Sequence, residues 1–254
     1  MSTLITWCIT LDQFNVETNK NNSHKIEYSS VVTPVKNSLK ITTVLFDLDG
    51  TLIDTAPDMA AALDILCDEE QHPRLPFNQV RPVVSNGSVA LVTLAFGDDL
   101  ATEKLERLKT RYLEIYQNNL AVHSQLFDEM ENLLLQLEQK NIKWGVVTNK
   151  PGWLTEPLME SLGLHQRATC IVSSDSTKNR KPHPEPMYHA CKLANSQPDE
   201  CVYVGDARRD IEAGQNAGMK TIIAEYGYIG DWENTDDWHA DHSIQTPSQL
   251  LALL

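Results

Sequence analysis

VLFDLDGTLID, residues 44–54, is a short apolar run that ends in two carboxylates, a glycine and a threonine. The run is too short for an ordinary helix, and its β-branched and aromatic residues are typical of a buried strand. Because side chains alternate along a strand, Asp47 and Asp49 are predicted to lie on the same side. Gly50 then lets the chain leave the sheet through a backbone conformation that most residues avoid. The stretch therefore predicts the central strand of a parallel sheet.

Two carboxylates crowded at the end of a buried strand repel each other and lose solvation, so a positive group is expected to neutralise them. Mg2+ is the natural candidate, because it takes oxygen ligands and keeps positions open for phosphate and water. The plainer interpretation is a strand followed by a polar turn, since Asp, Gly and Thr are ordinary turn residues. This stretch alone leaves both interpretations open.

Length and charge restrict the classes of function. At 254 residues the chain can bury one substantial core and a second small domain. The formal net charge of -14 disfavours binding to nucleic acid or to an anionic membrane, so an anionic substrate needs a locally positive site. No apolar stretch approaches the ~20 residues that span a bilayer, and no basic residue precedes the first apolar run, so neither a membrane span nor a secretory signal is expected.

Cysteine and histidine usage indicates a cytoplasmic protein without zinc. The five cysteines are scattered, odd in number and without a C-x-x-C pair, which predicts reduced thiols. The eight histidines are equally dispersed, with no H-x-x-x-H spacing inside a helical pattern.

The chain divides into three parts. Residues 1–40 include a long stretch rich in Asn, Ser, Thr and Lys, which predicts a disordered N-terminal extension of unknown role. Residues 41–54 and 121–254 are expected to form an α/β core domain, and residues 55–120 a helical insertion without strands. In the insertion, Thr55 is predicted to cap a first helix, Ser85-Asn86-Gly87 introduces a second over residues 89–96, and residues 102–118 form a long amphipathic third.

From residue 128 the pattern alternates between helix and strand. Such an order implies a parallel sheet with helices on both faces and right-handed crossovers, which is an α/β, Rossmann-like architecture. A last docking helix is expected over residues 247–254. The predicted strands after the first are residues 142–148, 169–173, 201–204 and 221–224.

Polar clusters follow these strands or the loops after them, where ligands bind in open parallel sheets. They are Asp47-x-Asp49-Gly50-Thr51, Thr148-Asn149-Lys150, Arg180-Lys181-Pro182 and Gly205-Asp206-Ala207-Arg208-Arg209-Asp210. Each has a structural alternative: Thr148 could end a strand, Lys181 could be a solvated loop charge, and Asp206 and Asp210 could cap a helix. The ordered set of four favours a functional site.

The four clusters resemble the four motifs of the haloacid dehalogenase superfamily, and specifically its phosphatase branch. DLDGT from Asp47 is like the first motif, Thr148 the second, Lys181 the third and GDARRD the fourth; the insertion after the first motif resembles a type 1 cap. The similarity covers residues 41 to about 250, and the first motif together with GDxxxD is specific. Arg208 and Arg209 depart from the small or neutral residues that are commoner in the fourth motif.

The resemblance implies a Mg2+-dependent phosphatase. Asp47 is expected to attack phosphorus and form an aspartyl-phosphate, and Asp49 to protonate the leaving alkoxide and then take a proton from water. Mg2+ is expected on the Asp47 carboxylate, the Asp49 main-chain carbonyl and Asp206, with Asp210 acting from further out or through water. The remaining catalytic residues are Thr148, a hydrogen-bond donor to phosphoryl oxygens, and Lys181, which offsets negative charge.

The substrate is expected to be a small phosphorylated metabolite, and the oligomeric state is not indicated. Within the branch, WGVVTNKP, VGDARRDIEAGQNAGM and YGYI resemble phosphatases that act on N-acetylmuramic acid 6-phosphate in peptidoglycan recycling, and the phosphoglycolate phosphatase group gives 2-phosphoglycolate as the alternative. Candidate substrate contacts are Asn149, the helix start at Ser85, Asn86 and Gly87, and Arg208. Either Arg208 or Arg209 could face a carboxylate of the substrate, and both could instead be solvated. The helix start could equally be an ordinary cap.

Two other classes remain open. A sugar phosphomutase keeps all four motifs but returns the phosphoryl group to another hydroxyl of the substrate. A binding protein on the same scaffold usually lacks the nucleophile or the acid, and this chain has both. A dehalogenase is disfavoured, because that branch lacks the second aspartate found here as Asp49.

Overall fold

The computed structural model describes residues 40–254. The predicted disordered extension over residues 1–40 therefore lies outside the described residues, apart from Lys40. Among the helices of residues 40–254, none combines the length and the apolar character that crossing a membrane requires.

A six-stranded sheet forms the centre of the fold, and all of its strands are parallel. Its order is β5-β4-β1-β6-β7-β8, so β1 is a central strand, as predicted. After β1 the chain adds β4 and β5 on one side of it, and then β6, β7 and β8 on the other side. Strand order therefore reverses between β1 and β6. The strands are β1 (Thr43–Phe46), β4 (Lys143–Val147), β5 (Ile171–Val172), β6 (Cys201–Gly205), β7 (Lys220–Ala224) and β8 (His242–Ile244).

Helices cover both faces of this sheet. Alternate residues of a strand point to opposite faces, so the buried strands present apolar side chains on both sides. Val44 and Phe46 pack with residues of α5 and α6, whereas Leu45 packs with residues of α7 and α8. Each fully buried side chain of this size contributes roughly 1.5–3 kcal/mol. The predicted α/β, Rossmann-like class is confirmed. The helices are α5 (Met130–Gln139), α6 (Gly152–Ser161), α7 (Glu185–Ala194) and α8 (Arg208–Ala217).

The end of the chain differs from the prediction. Strand β8 was not predicted, since His242-Ser243-Ile244 offers one buried residue and no apolar run. The expected docking helix is a 3-10 helix, Pro247–Ala252, whose Leu250 is fully buried in the core.

The insertion between β1 and α5 is helical. A short antiparallel pair, β2 (Ile53–Asp54) and β3 (Gln125–Leu126), flanks it. Its helices surround an apolar cluster of their own that includes the buried residues Leu63, Leu91 and Tyr112. The elements are α1 (Ala56–Glu69), α2 (Phe77–Val80), a 3-10 helix (Arg81–Asn86), α3 (Gly87–Phe96) and α4 (Thr102–Asn118).

The start of α1 corrects one prediction. The Thr55 hydroxyl does not cap the helix but donates to Oδ1 of Asp49 at 2.7 Å. Asp58, in the first turn, accepts hydrogen bonds from the backbone N–H groups of His123 and Ser124. The Thr55 hydroxyl and the Asp58 carboxylate therefore tie the insertion to neighbouring segments.

Candidate active site

Polar residues from three neighbouring strands meet at the carboxyl edge of the sheet. Asp47 follows β1, Thr148 follows β4 and Asp206 follows β6, and all three side chains are buried. Asp47 and Asp206 stand at the point where strand order reverses, the usual place for a ligand in an open parallel sheet. The structure thus brings together residues that lie up to 159 positions apart in the sequence.

Lys181 lies at the centre of this site. Its Nζ is 2.8 Å from Oδ1 of Asp47 and 2.8 Å from Oδ1 of Asp210, and its side chain is fully buried. It also donates to the carbonyl of Val147 and to the hydroxyl of Tyr203, both at 2.9 Å. A lysine so enclosed is a fixed positive charge rather than a solvated loop residue.

Asn149 holds the loop that carries this lysine. Its side-chain amide donates to the carbonyl of Lys181 at 3.1 Å, and its side-chain oxygen accepts from the N–H of Lys181 at 3.1 Å. Asn149 also borders the cavity above the site. The residue predicted to contact the substrate therefore has a structural task as well, which sequence reasoning missed.

Asp47, Asp206 and Asp210 form a cluster of buried carboxylates in which one oxygen from each lies within 4.8 Å of the others. Burial, together with the charge of Asp210, raises the pKa of Asp47 to about 6. Burial, together with the charge of Asp47, raises the pKa of Asp206 to about 7. Lys181 and the neighbouring Arg209 together do not balance three carboxylates, so the cluster favours binding of a further cation.

The donors of this cluster fit a hard divalent cation. All three side chains offer carboxylate oxygens, and the cluster contains no sulfur or imidazole. Asp210 lies in the first turn of α8, and its Oδ2 accepts the N–H of Ala207 at 3.0 Å. Its buried Oδ1 lies 2.8 Å from the Lys181 ammonium, which it shares with Asp47.

Two glycines leave room for Asp206. A Cβ atom on Gly50, which has φ of +86°, would lie 2.1 Å from Oδ2 of Asp206, and a Cβ atom on Gly227 would lie 2.3 Å from the Asp206 Cβ. The predicted role of Gly50 at the turn is confirmed, and close approach adds a second reason for glycine there. Oδ2 of Asp206 accepts the N–H of Tyr228 at 2.9 Å, and Oδ1 accepts the Thr51 hydroxyl at 3.1 Å.

Asp49 lies beside the cluster but has its own partners. Oδ1 accepts the Thr55 hydroxyl at 2.7 Å and the Lys150 ammonium at 2.9 Å. The N–H of Lys150 donates to the Thr148 hydroxyl oxygen at 3.1 Å, so the loop after β4 positions both residues. Lys150 was not singled out as a site residue, although its place directly after Thr148-Asn149 was a signal for it.

The insertion reaches the site through Ser85. Its hydroxyl donates to Oδ2 of Asp206 at 2.9 Å, and its carbonyl accepts from Arg209 at 2.5 Å. Asn86 and Gly87 also border the cavity, and Gly87 begins α3 with φ of +81°. The predicted contact region of the insertion therefore faces the carboxyl edge of the sheet.

The two arginines of the fourth motif point in different directions. Arg208 has a side chain that is 63% exposed and pairs with Glu212 one turn along α8, and it does not border the cavity. Arg209 does border the cavity. Burial alone would lower its pKa, but Asp210, Asp47 and Asp206 more than offset this and raise it. The geometry places Arg209, not the predicted Arg208, against the site.

Tyr228 is a further residue that sequence reasoning missed. Its hydroxyl donates to Oδ1 of Asp54 at 2.7 Å and accepts the N–H of Ala56 at 2.9 Å, at the junction between core and insertion. Arg81 completes this junction, with an ion pair to Asp54 at 2.7 Å and its guanidinium 4.7 Å from the Tyr228 ring centre. The stretch YGYI after β7 could have indicated it, since it follows a strand at the same sheet edge.

A cavity of about 580 Å³ lies between the sheet edge and the insertion. Asp47 and Asp49 are the acidic residues on its wall, and Lys109, Lys150, Arg180 and Arg209 are the basic ones. In a chain with a net charge of -14 this wall is the locally positive surface that an anionic substrate needs. Its volume is that of a small-molecule site, ~300–1,000 Å³.

This arrangement suits the chemistry of a phosphate ester. A buried carboxylate beside a lysine can attack phosphorus, a second carboxylate in the cavity can exchange protons with the leaving oxygen, and the acidic cluster can hold a divalent cation. The site and the fold are therefore suited to an enzyme that acts on phosphate esters.

Comparison with known proteins agrees. The family model described as haloacid dehalogenase-like hydrolase matches residues 44–224. An N-acetylmuramic acid 6-phosphate phosphatase of Pseudomonas putida is 43% identical over 212 residues, which are 84% of this chain and 95% of that protein. A phosphoglycolate phosphatase of Xanthomonas campestris pv. campestris is 42% identical over 208 residues, which are 82% and 93% of the two chains.

A solved structure shows the same fold. The crystal structure of a predicted phosphoglycolate phosphatase from Haemophilus somnus matches with a TM-score of 0.75 at 25% identity, over 84% of this chain and 97% of that one. The chain belongs to the haloacid dehalogenase-like hydrolase family, as its motifs predicted. The two relatives from Pseudomonas putida and Xanthomonas campestris are named as phosphatases, and this chain is a phosphoric monoester hydrolase.

Proposed function

We propose that the protein hydrolyses N-acetylmuramic acid 6-phosphate, with Mg2+ bound at the acidic cluster and through an aspartyl-phosphate on Asp47. The observation that carries the proposal is the wall of the cavity, where four basic residues outnumber the two carboxylates. A relative with 43% identity has this activity in its name. A sugar acid phosphate carries two anionic groups and has a size that this cavity of about 580 Å³ accepts.

The proposed reaction has two steps. The Asp47 carboxylate attacks phosphorus, the bond from phosphorus to the sugar oxygen breaks, and Asp49 gives a proton to the leaving alkoxide. Water then attacks phosphorus, Asp49 takes the water proton, and the bond from Asp47 to phosphorus breaks. Free phosphate, the sugar and the original carboxylates are the products. Splitting one difficult displacement into two easier ones is how covalent catalysis accelerates it.

The remaining residues stabilise charge. Lys181, fixed 2.8 Å from Asp47, is proposed to neutralise the nucleophile and the phosphoryl oxygens. Thr148 is proposed to donate its hydroxyl to a phosphoryl oxygen. Asp47, Asp206 and the main-chain carbonyl of Asp49 would hold Mg2+, with Asp210 adjacent. When bound, Mg2+ supplies the positive charge that equatorial phosphoryl oxygens require.

Arg209 is proposed to bind the carboxylate of the substrate. It borders the cavity and contacts the insertion through the carbonyl of Ser85. Closure of the insertion over the sugar would exclude water from the reacting groups. Asn86 and the N–H groups at the start of α3 are proposed contacts for sugar hydroxyls or the acetamido group.

The test is release of phosphate from a panel of phosphorylated sugars and acids with Mg2+. N-acetylmuramic acid 6-phosphate is expected to give the highest kcat/KM. A higher value for 2-phosphoglycolate, the named substrate class of the 42% identical relative, would replace it as the substrate. Isomerisation of a sugar phosphate without release of free phosphate would indicate a phosphomutase and overturn the proposal.

A further inference from the structure

One oxygen of the Asp49 carboxylate holds both of its hydrogen bonds. Oδ1 accepts the Thr55 hydroxyl at 2.7 Å and the Lys150 ammonium at 2.9 Å. Within residues 40–254, no hydrogen bond reaches Oδ2. The side chain borders the cavity and is 16% exposed. The two oxygens of this carboxylate are therefore in different surroundings.

Lys150 is held firmly in its position. Its side chain is 5% exposed, and besides Asp49 its Nζ donates to the Tyr116 hydroxyl at 3.1 Å. The same Nζ lies 4.6 Å from the centre of the Tyr116 ring, a distance suited to a cation–π contact. Lys150 comes from the loop after β4, whereas Tyr116 belongs to α4 of the insertion. Lys150 thus links Asp49, which follows β1, to Tyr116 of the insertion.

We infer that Lys150 is a positioning residue for the proton transfers of Asp49. This inference rests on the proposed function, in which Asp49 serves as acid and then as base. Because Thr55 and Lys150 both donate to Oδ1, the transferred proton is carried by Oδ2, the oxygen that accepts neither of these hydrogen bonds. Oδ2–H gives its proton to the leaving alkoxide as the phosphorus–oxygen bond breaks, and Oδ2 later takes a proton from the attacking water.

A purely structural role for Lys150 makes a different prediction. A buried ion pair that only joins the core to the insertion would affect every substrate alike when it is removed. A group that positions an acid matters only for leaving groups that need a proton. A sugar alkoxide needs one, whereas p-nitrophenolate leaves readily without it.

The test compares kcat/KM for a sugar 6-phosphate and for p-nitrophenyl phosphate in Lys150→Met. The ratio kcat/KM reports the first phosphoryl transfer, before the second step that all substrates share. The expected loss is about 100-fold for the sugar phosphate and less than about threefold for p-nitrophenyl phosphate, since a positioned acid contributes ~10²–10⁴. Tyr116→Phe, which removes one partner of Lys150, is expected to show the same selectivity with a loss of about fivefold.

Controls separate this inference from the proposed function. Lys220→Met removes an exposed lysine that pairs with Asp241, and should leave both rates unchanged. Asp49→Asn should lose the sugar phosphate selectively, and the double variant with Lys150→Met should be no slower than Asp49→Asn alone. If Lys150→Met does not fold, Lys150→Gln takes its place in the same comparison.

Each negative result of these measurements has a distinct interpretation. No phosphate release by the wild type from any ester overturns the proposed function and the inference together. A leaving-group-independent loss in Asp49→Asn overturns the role of Asp49, and the inference with it. Asp49→Asn could lose activity selectively on the sugar phosphate while Lys150→Met loses activity equally on both esters or on neither. This result would overturn the inference alone.

Discussion

The Ser85 hydroxyl donates a hydrogen bond to Oδ2 of Asp206 at 2.9 Å, although the two residues lie 121 positions apart. The same serine accepts from Arg209 through its carbonyl, so one residue of the insertion contacts two residues of the proposed phosphate site. Assembly of the site and the position of the insertion are therefore linked at Ser85, through its hydroxyl and its carbonyl.

Replacing Ser85 by alanine is expected to lower kcat/KM about tenfold, because a hydrogen bond to a charged group contributes ~1.5–3 kcal/mol. The melting temperature should change little, since the apolar cluster of the insertion is untouched. Steady-state kinetics on the substrate chosen by the panel measures this. Ser161→Ala, which removes only an exposed hydrogen bond to Pro157, is the matched control. An unchanged kcat/KM in Ser85→Ala would show that the contact is incidental.

The two neighbouring arginines should separate in their effects. Arg209→Met is expected to raise KM for N-acetylmuramic acid 6-phosphate about 10–100-fold, because a charge-assisted hydrogen bond to the carboxylate is lost. N-acetylglucosamine 6-phosphate, which lacks that carboxylate, should be affected much less.

Arg208→Met is the control for this pair and should stay within about twofold of the wild type, since its partner is the exposed Glu212. Equal losses on both sugars in Arg209→Met, or a larger loss in Arg208→Met, would remove Arg209 from carboxylate recognition.

Lys181→Met should both inactivate and destabilise the protein. The lysine is fully buried between Asp47 and Asp210, and removal of one partner of a buried charge pair costs about 3–5 kcal/mol. Urea unfolding at pH 8 measures the loss. Lys220→Met, with its exposed pair to Asp241, should lose less than about 1 kcal/mol. Similar losses in the two variants would mean that Lys181 does not carry the charge balance of the site.

Stability without metal should fall as pH rises. The pKa values of Asp47 and Asp206 are raised from 3.8 to about 6 and about 7, so the folded protein holds these protons more tightly than the unfolded chain. Their contribution is complete below about pH 4 and is lost as pH rises through 6 and 7. With EDTA, the free energy of unfolding should drop by on the order of 3 kcal/mol between pH 5 and pH 8.

Asp206→Asn should flatten this dependence, and Mg2+ should restore stability at pH 8, because it binds the folded state. Urea titrations across the pH range distinguish these effects from general titration of the surface. Equal pH dependence in the wild type and in Asp206→Asn would contradict the raised pKa of Asp206.

The sheet could be predicted because its strands are apolar runs bounded by turn residues. β1, β4, β6 and β7 lie within the predicted segments or extend them by one residue. β8 could not be predicted, since an exposed edge strand needs few apolar residues and is stabilised by pairing with β7. Local sequence signals the interior of a sheet much better than its edge.

The part of the site that is formed by residues at the ends of strands could be predicted. Asp47, Thr148 and Asp206 could be placed together because the carboxyl ends of parallel strands meet. The choice between Arg208 and Arg209 could not be made, since adjacent helical residues point about 100° apart and the start of α8 was not fixed. The positions of Lys150 and Tyr228 after strands point to these residues, but their roles depend on contacts with the insertion that a local pattern does not encode.

The most direct test of the account is phosphate release by Asp47→Asn from N-acetylmuramic acid 6-phosphate with Mg2+. Asparagine has nearly the shape of aspartate and removes a carboxylate that is already crowded, so circular dichroism and the melting temperature should show a folded protein. The account predicts a loss of at least ~10³-fold in kcat, because no nucleophile remains to form the aspartyl-phosphate. Near-normal hydrolysis by the folded variant would contradict it.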